Sequence, residues 1–192
     1  MRVAEINRKT KETDIKIILN LDNSEKISIS TGIGFFDHML NSFAVHSGIG
    51  IVLEAVGDLL VDSHHTVEDT GIVLGKAFAE ALKDKGGINR YGFASIPMDE
   101  SLAEASVDVS GRPFLVFNAD FSDDRIGDFD TQVAEEFFRA FAVNAGITLH
   151  INLRYGKNDH HKCEAIFKAV AHAVKQAVAV SGDGVLSTKG VL

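Results

Sequence analysis

Two stretches of the chain carry the same arrangement of metal-type side chains: His64-His65-Thr66-Val67-Glu68 and His160-His161-Lys162-Cys163-Glu164. Imidazole and carboxylate together suit Mn, Fe, Co, Ni or Zn better than Ca or Mg. With no thiolate in the set, a structural zinc site is disfavoured. The spacing says how the groups would be used. Successive residues on a helix point about 100° apart, so two adjacent histidines cannot comfortably hold one ion. Residues at i and i+4, or i and i+3, share a face. Glu68 can therefore join His64 on one ion while His65 reaches another, and Glu164, His160 and His161 repeat the arrangement. Two such helices would cross-link a pair of ions. A lone histidine most often caps a helix or satisfies a core polar group, but two matching His-His-x-x-Glu sets do not read that way.

The surrounding chain repeats as well. Phe43-Ala44-Val45-His46-Ser47-Gly48-Ile49 matches Phe141-Ala142-Val143-Asn144-Ala145-Gly146-Ile147 at an offset of 98 (141 − 43). The two His-His runs match at an offset of 96 (160 − 64), so a two-residue length change lies in the strand or loop between. The order is the same both times: helix, glycine stop, strand, loop, His-His-x-x-Glu helix. This is a duplicated unit, and it maps His38 onto Glu136. One ligand set consistent with the duplication is His38, His65, His160 and Glu164. Exchanging each residue for its mate gives Glu136, His161, His64 and Glu68, a disjoint set that uses all eight. An octahedral ion held by four such ligands keeps two positions open for water or substrate. His150 and His172 fall outside the pattern and are read as ordinary polar residues. His46 follows His38 along one predicted helix and is within reach of a ligand.

The elements that must position these groups alternate between strand and helix. Residues 2–9 and 13–30 read as strands, from the alternation of Ile15, Ile17, Leu19 and Leu21 and a turn at Asp22-Asn23-Ser24. A helix is expected over Phe35 to Ser47 with Gly48 as its stop, then a strand over Ile49 to Val56. Asp62-Ser63 offers N-cap chemistry to a long helix from His64 to Lys85, closed by Gly86-Gly87. Tyr91 to Phe121 reads as three short strands punctuated by Pro97 and Pro113, and Ser122 to Asp128 as a charged loop. A helix over Thr131 to Asn144, a strand over Ile147 to Arg154, a helix from His160 to Val180 and a small polar tail complete the chain. The fold class expected is α/β or α+β, two similar halves of about residues 1–90 and 91–192, each a small sheet packed against helices.

Bulk properties narrow the function classes. The 192 residues, 45% hydrophobic and 24% charged, suffice for a packed core without covalent staples. The single cysteine, Cys163, excludes an internal disulfide framework and fits a reducing compartment. No apolar run approaches the roughly 20 residues of a membrane span, and the N-terminus lacks a signal-peptide core. A cytoplasmic location is expected, with no membrane partner. The net charge of −8 disfavours nucleic acid as a partner. An anionic substrate would need a local cluster of Arg or Lys.

At these residues the chain resembles the imidazoleglycerol-phosphate dehydratase family. The resemblance rests on Phe36-Asp37-His38-Met39-Leu40, Asp62-Ser63-His64-His65-Thr66-Val67-Glu68-Asp69 and Pro97-Met98-Asp99-Glu100-Ser101-Leu102. It continues through Ser110-Gly111-Arg112-Pro113, Gly156-Lys157-Asn158-Asp159-His160-His161 and the terminal Ser187-Thr188-Lys189-Gly190-Val191-Leu192. It implies a hydro-lyase of histidine biosynthesis that converts imidazole glycerol phosphate to imidazole acetol phosphate and water through a metal-bound imidazolate. It further implies a pair of Mn²⁺ ions per active site, with other divalent transition metals able to substitute. Homo-oligomers of about 24 subunits, with metal sites shared between subunits, are implied too. Many members carry His where this chain has Glu136, and a carboxylate can still ligate Mn²⁺. Glu12, Asp99 and Glu164 are the carboxylates that could move a proton, with Glu12 placed in substrate contact by the resemblance. Arg90, Arg112, Lys168 and Lys189, with the Ser187 hydroxyl, are the groups to receive the phosphate, and His46 is a further substrate contact. The ligand set alone would also permit a dinuclear metallohydrolase or phosphatase.

Overall fold

The structure is a computed structural model that describes residues 1–190; Val191 and Leu192, the last two residues of the terminal motif, lie outside the described residues. Strand β2 (Thr13–Asn20) shows why the first sheet forms. Thr13, Ile15, Ile17 and Leu19 are buried, and the residues between them face outward or lie at the margin, the period-two pattern of a half-covered strand. It pairs antiparallel with β1 (Val3–Lys9), Ile6 opposite Ile17, and with β4 (Gly50–Gly57), Ile17 opposite Leu53. Parallel to β4 lies β3 (Ile27–Ser30), giving the order β1-β2-β4-β3.

The second sheet repeats this plan strand for strand. Its members are β5 (Tyr91–Met98), β6 (Ser101–Asp108), β7 (Phe114–Asn118) and β10 (Thr148–Tyr155), in the order β5-β6-β10-β7 with only the last pair parallel. Pro97 lies inside β5, where an edge strand tolerates the missing N–H. The two-residue change in repeat length falls in the loop before each His-His pair: residues 58–63 in the first half, 156–159 in the second.

Helix α1 (Gly34–Ser47) ends at Gly48, φ 73°, and α3 (Val133–Ala145) at Gly146, φ 66°. Both glycines adopt the left-handed conformation that stops a helix at low steric cost. The long helices α2 (His64–Leu82) and α4 (Asp159–Val178) each cover one sheet. The halves are stitched crosswise: α1 packs on α4, and α2 on α3. On α2, Gly71 and Gly75 make that approach possible, since a Cβ there would stand 2.6 Å from the Phe137 carbonyl and 2.7 Å from that of Phe141. One continuous core, rich in phenylalanine, runs through both halves.

Two expectations need correction. The first long helix stops at Leu82 rather than Lys85, because Lys83 turns to φ 54° and ends the hydrogen-bond ladder before Gly86-Gly87 is reached. Its entry is capped by the Asp62 carboxylate, which accepts the His64 N–H at 2.8 Å, while Ser63 makes no side-chain cap. The stretch expected as a charged loop forms a small hairpin, β8 (Arg125–Ile126) and β9 (Phe129–Asp130). Phe129 is fully buried against Phe35 and Phe36. The Asp128 carboxylate accepts the N–H groups of Gly34 (2.7 Å) and Phe35 (3.2 Å) at the start of α1. The hairpin lies between β7 and α3; the matching β3–α1 connection in the first half has no such element.

Candidate metal centre and its surroundings

The crosswise packing of α1 on α4 brings His38, from the first half, to His160 and Glu164 of the second. Their ligand atoms lie within 4.8 Å of one another, the one such group of three among the described residues. His160 Nε2 is 3.3 Å and His38 Nε2 3.7 Å from Glu164 Oε2. Phe35 packs edge-on to both rings and fixes their tilt. Burial works against the Glu164 charge. The Lys168 ammonium, bound to the other carboxylate oxygen at 2.6 Å, outweighs it together with His38 and His160, so the carboxyl sits below its ordinary pKa. Two imidazoles and an ionised carboxylate converging with sub-5 Å spacing fit a divalent transition ion that has further positions to fill.

The related set on α2 and α3 is looser. His64 Nε2 is 3.6 Å from Glu68 Oε2, both side chains being more than two-fifths exposed. Glu136, on α3, directs its carboxylate toward Arg139 Nε at 3.8 Å. His64 lines a cleft with Asp62, Arg125, Asp128 and Gln132.

The second histidine of each pair turns away from these groups and is held by a carboxylate that sequence reasoning missed. His65 Nδ1 is 2.9 Å from Asp58, and His161 Nδ1 is 2.7 Å from Glu100. Each contact raises the histidine's pKa, the hydrogen bond to the carboxylate being the main cause. Each carboxylate holds Nδ1 and so directs Nε2 to the far side of the ring, the arrangement in which an outer carboxylate orients a metal-binding imidazole. Glu100 is fixed in turn by the N–H groups of Asn158 (2.8 Å) and Lys157 (3.0 Å). The Asn158 bond, then His161, then Lys157 hold its pKa far below the ordinary value. Glu100 was legible: β1–β2 and β5–β6 are matching hairpins, and Glu12-Thr13 in one turn corresponds to Glu100-Ser101 in the other. Asp58 carried no sequence signal of its own.

The candidate proton-moving carboxylates differ in their surroundings. Glu164 is committed to Lys168 and the two histidines. Asp99 occupies the β5–β6 turn at φ 48°, largely exposed, 3.5 Å from His161 Nε2. Glu12 stands exposed at the β1–β2 turn with no side-chain partner among the described residues. The next residue anchors that turn to α2: Thr13 Oγ1 donates to Asp69 at 2.5 Å, and Asp69 also pairs with Arg8.

The anion-binding candidates form a separate cluster. Arg90 grips Asp108 with two bonds, 2.7 and 3.2 Å, and Arg112 approaches the same carboxylate at 3.5 Å. Asp108, also missed by sequence reasoning, therefore aligns both guanidinium groups. Arg90 Nη1 further donates to the Leu186 carbonyl at 2.7 Å, which folds the tail bearing Ser187 and Lys189 back over this corner. Lys168 does not join them, being held at Glu164 and near Met98 Sδ. His46 lies on α1 beside His172.

Distance along α4 separates these groups. The Arg90 N–H bonds the Ala177 carbonyl, thirteen residues beyond Glu164 (177 − 164), or about 20 Å at 1.5 Å per residue. One chain therefore displays metal-type ligands at one end of α4 and the paired arginines toward the other. His65 is absent from the His38–His160–Glu164 group.

A family model described as imidazoleglycerol-phosphate dehydratase matches residues 31–174. Proteins of that name from Streptococcus gordonii and Methanosarcina mazei are 56% and 57% identical, each alignment spanning all of this chain and all of the relative. The crystal structure of the enzyme from Staphylococcus aureus is similar at TM-score 0.85 and 45% identity, over 93% of this chain and 99% of that one. The enzyme from Pyrococcus furiosus, solved in complex with (S)-C348, is similar at TM-score 0.85 and 38% identity, over 97% and 100%.

Proposed function

The chain belongs to the imidazoleglycerol-phosphate dehydratase family, hydro-lyases of histidine biosynthesis, and on that premise we propose how its residues divide the work. The substrate is imidazole glycerol phosphate, and the products are imidazole acetol phosphate and water. His38, His160 and Glu164 hold one divalent transition ion, Mn²⁺ being the one the family resemblance implies, and His64, Glu68 and Glu136 hold a second. His65 and His161, each oriented through Nδ1, complete these sets from another copy of the chain.

The observation that carries this reading is the separation along α4. A substrate with a ring at one end and a phosphate at the other is much shorter than the about 20 Å between Glu164 and the Arg90 corner. If both act on one molecule, they come from different subunits, which also suits His65 and His161, each turned away from the other metal-type groups of its own chain. The assembly is therefore a homo-oligomer with active sites between subunits, and the family resemblance favours about 24 copies.

Bound divalent ions would supply Lewis-acid chemistry, drawing charge from an imidazole ring so that it can lose its proton near neutral pH. The chain's own groups do the rest. Arg90 and Arg112, with Ser187 and Lys189, take the phosphate, and the tail closes with them. Lys168 and His46, from the subunit that bears the metal-type groups, meet that phosphate from the other side. Glu12, with no side-chain partner among the described residues, removes the proton from the carbon next to the one bearing the departing hydroxyl. The C–O bond breaks as the enol double bond forms, and the hydroxyl takes a proton from the second acid/base group and leaves as water. The enol then takes a proton at the ring-side carbon to become the ketone. Asp99 lies beside His161 as the second acid/base group.

Metal quantification on the purified protein, with turnover of imidazole glycerol phosphate before and after chelation, tests the proposal. Activity lost on chelation and restored by Mn²⁺ is expected. His65→Ala is expected to lower bound metal and activity together, and full metal occupancy in that variant would refute the ligand assignment. Release of inorganic phosphate in place of ketone would make the chain a dinuclear hydrolase instead.

A further inference from the structure

The seam between α1 and α4 is polar along its length. Helix α1 presents His38, Ser42 and His46 at four-residue intervals, and α4 presents His160, Glu164, Lys168 and His172 at the same intervals, so each series follows one face. His38 meets His160 and Glu164 at one end. His46 meets His172 at the other, Nδ1 to Nε2 at 3.2 Å with ring centroids 5.2 Å apart. Between them stand Lys168 and the buried Ser42 hydroxyl, which has no hydrogen-bond partner.

An imidazole pair joined nitrogen to nitrogen, both rings neutral, shares one proton, and its position decides what the outer nitrogens can do. If His46 donates through Nδ1, its Nε2 is bare and repels an anion. If His172 donates from Nε2, His46 Nδ1 accepts and His46 Nε2–H becomes a donor. His46 has no other hydrogen-bond partner among the described residues, so its free nitrogen is available to a ligand. Protonating His46 is the costlier route to the same donor. Burial disfavours the cation first, then Lys168, His172 and Lys175, with Glu164 alone opposing them.

We infer that His172 is a positioning residue that fixes the tautomer of His46, so that a neutral His46 presents Nε2–H to the anionic end of the substrate. This rests on the reading of His46 as a substrate contact. It accounts for an otherwise unexplained histidine pair and assigns a role to a residue that touches no substrate atom. A neutral donor beside Lys168 also adds a hydrogen bond for the phosphoryl group without adding a charge next to the metal ligands.

Three variants of the assembled enzyme test it: His46→Phe, His172→Phe and His172→Gln. Gln keeps an amide N–H near the position of the imidazole Nε2–H, whereas Phe keeps only the ring shape. His172→Phe is expected to raise KM for imidazole glycerol phosphate about tenfold with kcat within about threefold, and His172→Gln to restore most of that loss. Nitrogen-15 magic-angle-spinning spectra of the Zn²⁺-loaded enzyme with inorganic phosphate should show His46 protonated at Nε2. In His172→Phe that single form should give way to a mixture. An unchanged KM in His46→Phe would remove the underlying reading. A raised KM in His46→Phe, with His172→Gln no better than His172→Phe and an unaltered His46 spectrum, would overturn the role of His172 alone.

Discussion

The two His-His-x-x-Glu helices share a motif and differ in readiness. On α4, Glu164 is nine-tenths covered, its two oxygens divided between Lys168 and the histidines. On α2, Glu68 is 42% exposed and, among the described residues, reaches only His64. The residue four places after Glu164 is Lys168; the one four places after Glu68 is Ile72. One cation at the right helical spacing thus lets the carboxylate of α4 be buried while charged. The partner residues on the short helices diverge likewise, since His38 faces Glu164 and His160 while Glu136 leans on Arg139. Duplication copied the ligand pattern but not the surroundings that organise it.

The largest expected effect separates the two sets directly. Metal titration of the apo-protein should show a tighter class of site, removed by Glu164→Gln, and a weaker class, removed by Glu68→Gln. On the proposed assignment either substitution deletes a direct ligand, and it should lower turnover by more than the roughly 100-fold that outer partners are worth. Calorimetry in parallel with atomic absorption would measure this. Two classes of equal affinity, both lost in Glu164→Gln, would show that the difference in readiness has no consequence for binding.

A second contrast lies one turn into the same helices. In the second half, Asp159 and Lys162 form a buried ion pair at 2.7 Å. Asp159 also accepts the N–H groups of Ser122 and Asp123, which ties the hairpin insertion to the start of α4. At the position matching Lys162 (162 − 96), the first half has Thr66, fully buried with an unpartnered hydroxyl. Lys162→Met should therefore destabilise by about 3–5 kcal/mol, because it strands a buried charge. Thr66→Val should be within about 1 kcal/mol of the parent or more stable, because it removes an unmet hydroxyl. Urea unfolding at fixed protein concentration would decide. Acid adds a check of sign. Burial opposes the Asp159 charge, yet Lys162 and the two backbone N–H groups outweigh it, leaving the pKa below its ordinary value. The stability it contributes is complete above the ordinary carboxylate pKa and is lost as pH falls through the lowered folded value. Asp159→Asn should flatten that acid-side loss, and an unchanged slope would remove Asp159 from the account.

What the sequence disclosed follows the same division. The metal-type side chains and their helices were readable from spacing and repeat, because helical periodicity is local. One set consistent with the repeat puts His38 with His160 and Glu164, which the structure brings together, and with His65, which it does not. The strand positions were readable too, since Ile15, Ile17 and Leu19 alternate with the pleat. The outer carboxylates Asp58 and Asp108 were invisible, because each acts across a turn or a strand pair and one sequence records no such distance, whereas Glu100 could have been read from the matching hairpin turns. The β8–β9 hairpin was misread for a related reason. Its charged residues look solvated until Phe129 is seen in the core and Asp128 at the N-terminus of α1. His172 was passed over because its significance lies wholly in a neighbour 126 residues away.

The outer carboxylates give the third test. Asp58→Asn and Glu100→Gln should each weaken metal binding by about 10–100-fold. Glu100→Gln should have the larger effect, because Glu100 also holds the Lys157 and Asn158 N–H groups at the entry to α4. Proton competition gives the pH dependence. The hydrogen bonds to Asp58 and Glu100 raise the pKa of His65 and His161, so metal affinity should fall as pH drops through those raised values. In the two variants the fall should begin at lower pH. Profiles that superimpose on the parent would mean that neither carboxylate governs its histidine.

The smallest effect sharpens the comparison most narrowly. Arg139 contacts Glu135 and lies 3.8 Å from Glu136, all on the exposed side of α3. Pairs of this kind are worth about 0.5 kcal/mol or less, so Arg139→Ala should leave the unfolding midpoint almost unchanged. What it releases is the Glu136 carboxylate. If the looser set is loose partly because Glu136 is drawn toward a guanidinium, the variant should tighten the weaker class of metal site by a small factor and leave the Glu164 class alone. Salt should mimic the substitution, since screening weakens an exposed pair far more than the covered Glu164–Lys168 contact. Tightening of both classes, or of neither, would place the asymmetry elsewhere than at Arg139.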